Sequence, residues 1–277
     1  MDITERITVN NVPISHAALE RLCVGYDSSE PLKIKKNGMF ESLMNAAFLY
    51  FSENNVEYAV IETGIGGLLD CTNVITPIVS VITKIGYDHT EILGETIEEI
   101  ARHKAGIIKP GVPVVTDPTQ SEAVMKVIRE TAGAKKSRLI IPDKNEHFEL
   151  SMMGRHQVYN AITAAGALRL LGIPCDFADV KLSARMQVAG ENPLIIVDGA
   201  HNPDGLREAV ATVNALPFKT KVIIEGVLES KCYHACINEI SRAVELARDM
   251  AGKDGAILIC GSLYLAGEVL RILEPTP

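Results

Sequence analysis

The 277-residue chain contains no Gly-x-x-x-x-Gly-Lys-Ser/Thr run or close variant of one, so it carries no phosphate-cradling loop of that kind. It also lacks an excess of basic residues: 27 Lys and Arg stand against 35 Asp and Glu, a formal net charge of -8. With a pI near 5.4, this argues against nucleic acid as the main partner, because gripping a phosphate backbone takes a basic face. A small anionic substrate in a locally basic pocket remains compatible. No apolar run approaches the roughly 20 residues of a membrane span, and no basic-then-apolar leader opens the sequence. Those absences point to a soluble, cytoplasmic protein with no membrane partner. The six cysteines, Cys23, Cys71, Cys175, Cys232, Cys236 and Cys260, lack paired metal-type spacing apart from the weak Cys232-x-x-x-Cys236. Reduced thiols fit that usage better than a disulfide framework.

What is present is enough apolar material to fill real cores: 47% of residues are hydrophobic and the mean hydropathy is positive, in a chain long enough for two domains. Apolar, β-branched runs predict strands near 57–62, 78–83, 113–116 and 138–141, separated by helical patterns near 41–52, 95–107 and 119–131. That alternation implies a parallel sheet covered on both faces. A long helix fits 157–171, stopped by Gly172 and Pro174. A second alternating series follows: strand 194–198, helix 204–215, strand 221–225, helix 234–251, strand 256–260 and helix 262–273. A boundary near Ser183 divides the chain into domains 1–182 and 183–277. With no internal repeat, low-complexity tract or long linker, the two should pack around a shared cleft, a favoured place for ligands.

The residues able to do chemistry gather at the ends of these elements. The run Glu62-Thr-Gly-Ile-Gly-Gly-Leu-Leu-Asp-Cys-Thr-Asn73 follows the first strand, and Tyr87-Asp-His-Thr90 follows the second. Glu62 and the Asp88-His89 pair therefore fall at or beyond carboxyl ends of strands, where open α/β sheets bind ligands. Gly64, Gly66 and Gly67 could let backbone approach a phosphate, or could simply form a tight turn. His89 taken alone reads as a structural cap or a ligand. Three- and four-residue spacing puts Lys104 on one helical face with Ile97, Ile100 and Ala101, where an unpaired ammonium is costly unless its head snorkels to water. Asp198-Gly-Ala-His-Asn-Pro203 follows an apolar strand and starts a helix at Pro203, which suits either a capped strand-to-helix turn or a site at Asp198 and His201. Gln157 and Asn160 open the long helix and could serve as capping and packing residues. His16, His103 and His147 read as surface histidines, Cys71 as packing, and Glu41 as a favourable charge at a helix N-terminus.

Taken together, these motifs resemble the folylpolyglutamate synthase and dihydrofolate synthase family of the Mur ligase superfamily. The likeness runs through Glu5-Arg6-Ile7 with Val9-Asn10, Phe40-Glu41, the block from Glu62 to Lys109, Gly154-Arg-His-Gln157 with Asn160, Asp198 to Pro203, and Gly261-Ser-Leu-Tyr264. It implies an α/β fold: a Mur-ligase-like parallel-sheet central domain, here incomplete, plus a smaller Rossmann-like C-terminal α/β domain. The implied activity is ATP-dependent addition of L-glutamate to a folate or pteroate carboxylate through an acyl phosphate. By the same resemblance Glu62 and His89 bind Mg2+, and Lys104, fifteen residues after His89, is carbamylated by CO2. Gly64, Gly66, Gly67 and Asn73 lie beside the nucleotide, and Gln157 and Asn160 near its adenine. Asp198 contacts ATP, while Arg185, thirteen residues before Asp198, and His201 contact its phosphates. Family members are monomers.

The chain departs from that pattern in several places. The family's phosphate loop and its Ser-Pro-His-Leu folate-side motif both have no counterpart here, and the regions 139–154 and 232–253 are shorter than usual. Leu68 replaces the usual Arg, Glu229-Ser-Lys231 replaces an Asp-Lys-Asp neighbourhood, and Ser183-Ala-Arg-Met186 lacks the usual Trp-Pro-Gly lead-in. Two alternatives therefore stay open: a catalytically silent remnant acting as a binding or interaction module, and a Mur ligase acting on a cell-wall nucleotide precursor. A sheet lacking a strand would also present an unpaired edge through which copies could associate.

Overall fold

The computed structural model describes residues 2–24, 38–226, 237 and 239–273. The chain starts with a small subdomain. Asp2 caps a 3-10 turn, Ile3–Arg6, and leads into a hairpin of β1 (Thr8–Val9) and β2 (Val12–Pro13). Asn10 and Asn11, at φ 51° and 63°, form its two-residue loop; both must be left-handed to match strand twist, and Asn tolerates that conformation. Helices α1 (His16–Val24) and α2 (Met39–Glu53) pack through Leu19, Leu22, Leu43, Ala46 and Ala47. A two-pronged Arg21–Glu53 pair at 2.8 and 2.6 Å ties them at the surface.

The first sheet is parallel and has three described strands, β3 (Ser80–Ile82), β4 (Val114–Thr116) and β5 (Leu139–Ile140), in the order β3-β4-β5. Between them run α3 (Thr90–Leu93), α4 (Ile97–Ala105) and α5 (Glu122–Ala134), and α6 (Arg155–Leu170) follows β5. Thr96 and Glu99 form a reciprocal capping box at the start of α4, satisfying two amides that a helix end leaves orphaned. The expected inward face of α4 is present: Ile100, Ala101 and Ala105 are fully buried against Ile82, Ile108, Val114, Val124 and Ile128. On the opposite side, α6 comes so close to β4 that Gly166 has no room for a Cβ against Val115 and Pro142.

One expected strand is not formed. Residues 57–62 join no ladder among the described residues, and Val60 is 94% exposed. An apolar, β-branched sequence only makes a strand where a neighbour supplies hydrogen bonds, and β3, paired solely with β4 among the described strands, is not reached by this segment. Glu62 therefore sits at the end of an unpaired stretch and not at a strand terminus.

The second sheet contains β6 (Gln187–Glu191), β7 (Leu194–Val197), β8 (Lys221–Glu225) and β9 (Ala256–Cys260), in the order β6-β7-β9-β8. Here β7, β9 and β8 are parallel, while β6 is an antiparallel edge joined to β7 across the cis Asn192–Pro193 peptide. The edge strand was not anticipated, since Gln187, Gly190 and Glu191 break its apolar pattern. Side-chain alternation sorts the central strands between two layers. Ile195, Val197, Ile257 and Ile259 face α8 (Ile240–Ala251) and α9 (Leu263–Leu273), whereas Ile196, Leu258 and Cys260 face α7 (Pro203–Asn214). Burial in that layer pushes the Cys260 thiol up to about 12, so it is a packing group and not a nucleophile. Helix α8 covers 240–251 of the helix expected over 234–251; Cys232, Cys236 and Glu229-Ser-Lys231 lie outside the described residues. Among the described residues no helix is long and apolar enough to cross a membrane.

Ile100 is completely enclosed by both α5 and the first sheet. Ile100→Ala is expected to lower unfolding free energy by roughly 2–5 kcal/mol, read from urea denaturation against the parent.

Candidate functional site

The loop from Glu62 to Asn73 is organised by its own polar residues. Asp70 Oδ2 accepts the backbone amides of Gly64 and Ile65, both at 3.0 Å, and Oδ1 accepts the Thr72 amide and hydroxyl at 2.9 and 2.6 Å. Burial raises the Asp70 carboxyl, but these donors together outweigh it and hold the group below its ordinary range. Asn73 Nδ2 donates to the Leu68 and Gly106 carbonyls, and Lys109 Nζ donates to the Asn73 carbonyl at 2.6 Å. The loop is thereby clamped onto the C-terminal turn of α4, where Leu68 N donates to the His103 carbonyl.

The glycines have a packing explanation. Gly66, at φ 71°, abuts Leu93, and Gly67 lies against Ile107 and the His103 and Lys104 carbonyls with no space for a Cβ. Gly64 is hemmed in by Phe40 and Asp70, and its N–H is already committed to Asp70. Glu62 is exposed. Neither Glu62 nor any other residue forms a group of three His, Cys, Asp or Glu side chains suited to a metal among the described residues.

The strongest convergence lies beyond the end of β3. His89 takes the left-handed conformation, φ 49°, immediately before α3, an uncommon state for a non-glycine residue. Its amide donates to Asp88 Oδ1 at 2.9 Å, while its ring lies 3.8 Å from Asp88 Oδ1 and 3.9 Å from Glu91 Oε1. The other Asp88 oxygen faces the second sheet's unit: Asn202 Nδ2 donates to Oδ2 at 3.0 Å, and His201 Nε2 stands 3.6 Å from the same atom. Burial alone would raise the Asp88 carboxyl; the Asn202 amide, the His89 and His201 rings and the His89 backbone amide bring it below its ordinary value. Half-buried Lys104 lies within electrostatic reach of this carboxylate. Desolvation lowers the Lys104 ammonium, and the attraction of Asp88 opposes that only in part. Asp88 was not among the residues expected to act, although it adjoins His89.

On the second unit, Asp198 is 5% exposed at the end of β7. Its Oδ1 accepts the Ala200 amide and its Oδ2 the Met186 amide, each at 2.8 Å. Ala184 and Met186, flanking exposed Arg185, have φ of 54° and 49°, so Asp198 and the Gly199 N to Ala184 O bond of 2.8 Å hold a strained turn in place. The Arg185 guanidinium lies against Gly199, where a Cβ would sit 3.1 Å from Nη1. His201 Nδ1 is 3.2 Å from the Gly199 carbonyl, and Asn202 caps α7 through the Gly205 amide at 2.8 Å. Arg185 and His201 thus flank one residue, and His201 reaches the Asp88 group.

Gln157 and Asn160 are one turn apart on α6 and bond to each other at 3.1 Å; Gln157 is buried and Asn160 exposed. His156 precedes Gln157 in the first turn of α6, and its buried Nδ1 has no hydrogen-bond partner among the described residues. Desolvation lowers its imidazole, against the pull of Asp198 and Glu208.

The Mur ligase middle domain family matches residues 22–114. Folylpolyglutamate synthase of Lacticaseibacillus casei is 32% identical over 275 residues, covering 87% of this chain and 63% of that protein. Dihydrofolate synthetase of Saccharomyces cerevisiae is 31% identical over 359 residues, covering 98% of this chain and 84% of that protein. The chain belongs to the folylpolyglutamate/dihydrofolate synthase family. A solved folylpolyglutamate synthase complex with AMPPCP superposes with a TM-score of 0.82 at 30% identity, covering 99% of this chain and 82% of that one. The architecture is accordingly that of the family: a Mur-ligase-like central domain followed by a smaller C-terminal α/β domain. The chain spans 63% and 64% of the length of its relatives from Lacticaseibacillus casei and Bacillus subtilis.

Two outcomes follow from this geometry. Asp198→Ala strands two buried amides that now bond to a charged acceptor, and is expected to cost roughly 2–4 kcal/mol, measured by urea denaturation. The Asp70 and Asp88 carboxyls titrate below the ordinary aspartate value when folded. The stability they contribute is complete above that value and is lost as pH falls through their lower folded values. Thermal midpoints should therefore decline from pH 5 to pH 3, and less so in Asp70→Asn.

Proposed function

We propose that the chain works in ATP-dependent ligation of L-glutamate to a folate-class carboxylate. The observation that carries this reading is the meeting of Asp88 and His89 with His201 and Asn202 across the two units, with Lys104 within electrostatic reach of Asp88. Family membership supplies the class of reaction, and the meeting point supplies a place where groups from both units can act on one ligand. The substrate carboxylate would attack the terminal phosphoryl group of ATP, breaking its bond to ADP, to give an acyl phosphate; the glutamate amine would then displace inorganic phosphate and lose a proton to form the amide. Such a transfer requires positive charge around the transferring group. Arg185 and His201 would supply it from the second unit.

A divalent ion fits the site only in a particular way. The described residues offer no cage of three ligands, but Mg2+ characteristically takes one or two protein ligands and completes its shell with water and nucleotide phosphates. His89 and Glu62 are the proposed ligands, and Mg2+ when bound would neutralise charge on the phosphates. Lys104 fits carbamylation, since burial favours its neutral amine, the form that reacts with CO2. Gly64, Gly66, Gly67 and Asn73 would shape the wall beside the nucleotide rather than grip it, because the Gly64 and Ile65 amides are engaged by Asp70. Asp198 would hold the Arg185 and His201 turns, with Gln157 and Asn160 toward the adenine. The proposed division is 1–182 for nucleotide binding and 183–277 for the ligase partner domain.

A second reading, a binding module without turnover, draws on the exposed position of Glu62 beyond an unpaired segment. Calorimetric titration with ATP and Mg2+, with and without bicarbonate, separates the two when followed by a glutamate-incorporation assay. Saturable, Mg2+-dependent binding weakened roughly tenfold or more by Arg185→Ala, as expected for loss of a charge-assisted contact, supports the nucleotide site, and glutamate incorporation supports ligation. Lys104→Met should weaken binding and yet raise the thermal midpoint, because it removes a desolvated ammonium. Absence of binding by a folded parent would overturn ligation and favour the module without turnover.

A further inference from the structure

The cross-unit contact at Asp88 implies a role beyond lining the site. Asp88 spends one carboxylate oxygen on the turn it belongs to, through the His89 amide, and the other on a residue 114 positions away, Asn202. The same oxygen lies 3.6 Å from His201. Next to it, Gly86 is approached so closely by Asp204 that a Cβ there would overlap the Asp204 carboxylate. The loop after β3 and the start of α7 are thus fitted to each other over at least two residues on each side, with the Asp88–Asn202 bond at the centre. Asn202 is itself fixed by capping α7, its Oδ1 taking the Gly205 amide while its Nδ2 is aimed at Asp88. Both amide ends are used, so the side chain cannot turn without losing one bond.

We propose that Asp88 is the positioning residue that latches the second unit over the first, setting where His201 and Arg185 stand relative to Lys104. The carboxylate does this without touching the reacting groups: it fixes the 198–203 turn, and Asp198 relays that placement to Arg185 through the Met186 amide. Only this consequence for ligand rests on the nucleotide-site reading; the latch itself stands on the contact between units.

The charge arrangement permits a test by exchange. Asn202→Asp keeps a good N-cap for α7 but sets two carboxylates against each other, with Asp204 close by, so the units should part. Adding Asp88→Asn restores an amide opposite a carboxylate with the bond reversed. Small-angle X-ray scattering should show a larger radius of gyration for N202D and a return to the parental value for D88N/N202D. The double variant should also recover the urea midpoint lost by N202D, a coupling that independent sites would not show. Parental dimensions in N202D, or a double variant as expanded as N202D, would overturn the latch. Titration with ATP and Mg2+ reports separately: affinity lost roughly tenfold in N202D, a coupling of ordinary size for groups in contact, and regained in the double variant supports the placement of His201 and Arg185 by Asp88. Recovery of dimensions without recovery of affinity, in a parent that binds, overturns that placement. Recovered dimensions with no nucleotide binding by any protein, the parent included, support the latch and sink the nucleotide reading instead.

Discussion

The buried carboxylate of Asp198 is the constraint on which the rest of the site depends. A charge with so little exposure survives only if its oxygens are occupied, and both are taken by backbone amides from opposite sides, Met186 and Ala200. One bond bends the chain back so that Arg185 projects between two left-handed residues. The other starts the turn that delivers His201 and Asn202. Because β7 is locked into the sheet by β9, this carboxylate transmits the rigidity of a four-stranded core to two loops that would otherwise be loosely held. The crossing to Asp88 then ties the loops to the end of β3.

The first unit achieves a similar result by different means. Its loop of glycines is held by Asp70 and Asn73, two residues whose side chains imitate backbone hydrogen bonding, and by close packing on α4. Glycine there answers the lack of space against Ile107 and the α4 carbonyls. Lys104 emerges from the same helix turn, so its environment is set by the loop above it and by Asp88 beyond it. The desolvation that makes Lys104 unusual is thus a product of how the loop is folded.

Much of this arrangement was legible in the sequence, and the exceptions share a cause. The strands at 80–82, 114–116, 194–197 and 256–260 and the inward face of α4 follow from local periodicity, which needs no knowledge of partners. Residues 57–62 carry the same β-branched signal but form no strand, because pairing is a property of a neighbour and not of the segment. The β6 edge failed the opposite way: a polar stretch became a strand because β7 was beside it. The β1–β2 hairpin could have been found from Asn10-Asn11 between short β-formers. Asp88 could not be distinguished from an ordinary strand-end carboxylate, since its decisive partner is remote in sequence, and the orphaned nitrogen of His156 reflects three-dimensional crowding. The strand pattern put Glu62 at a strand end, whereas it stands exposed beyond an unpaired segment.

The strand order of the second sheet bears on how this protein is made. β9 lies between β7 and β8, and each of those pairs with β9 and not with the other. During synthesis β7 and β8 therefore leave the ribosome with apolar faces ready but with their common neighbour still untranslated. The unit holding Arg185 and His201 cannot close until Ala256–Cys260 has emerged, so the apolar faces of β7 and β8 stay open to aggregation while that stretch is being made. A chain broken off between β8 and β9 would lack the middle of this sheet rather than its edge.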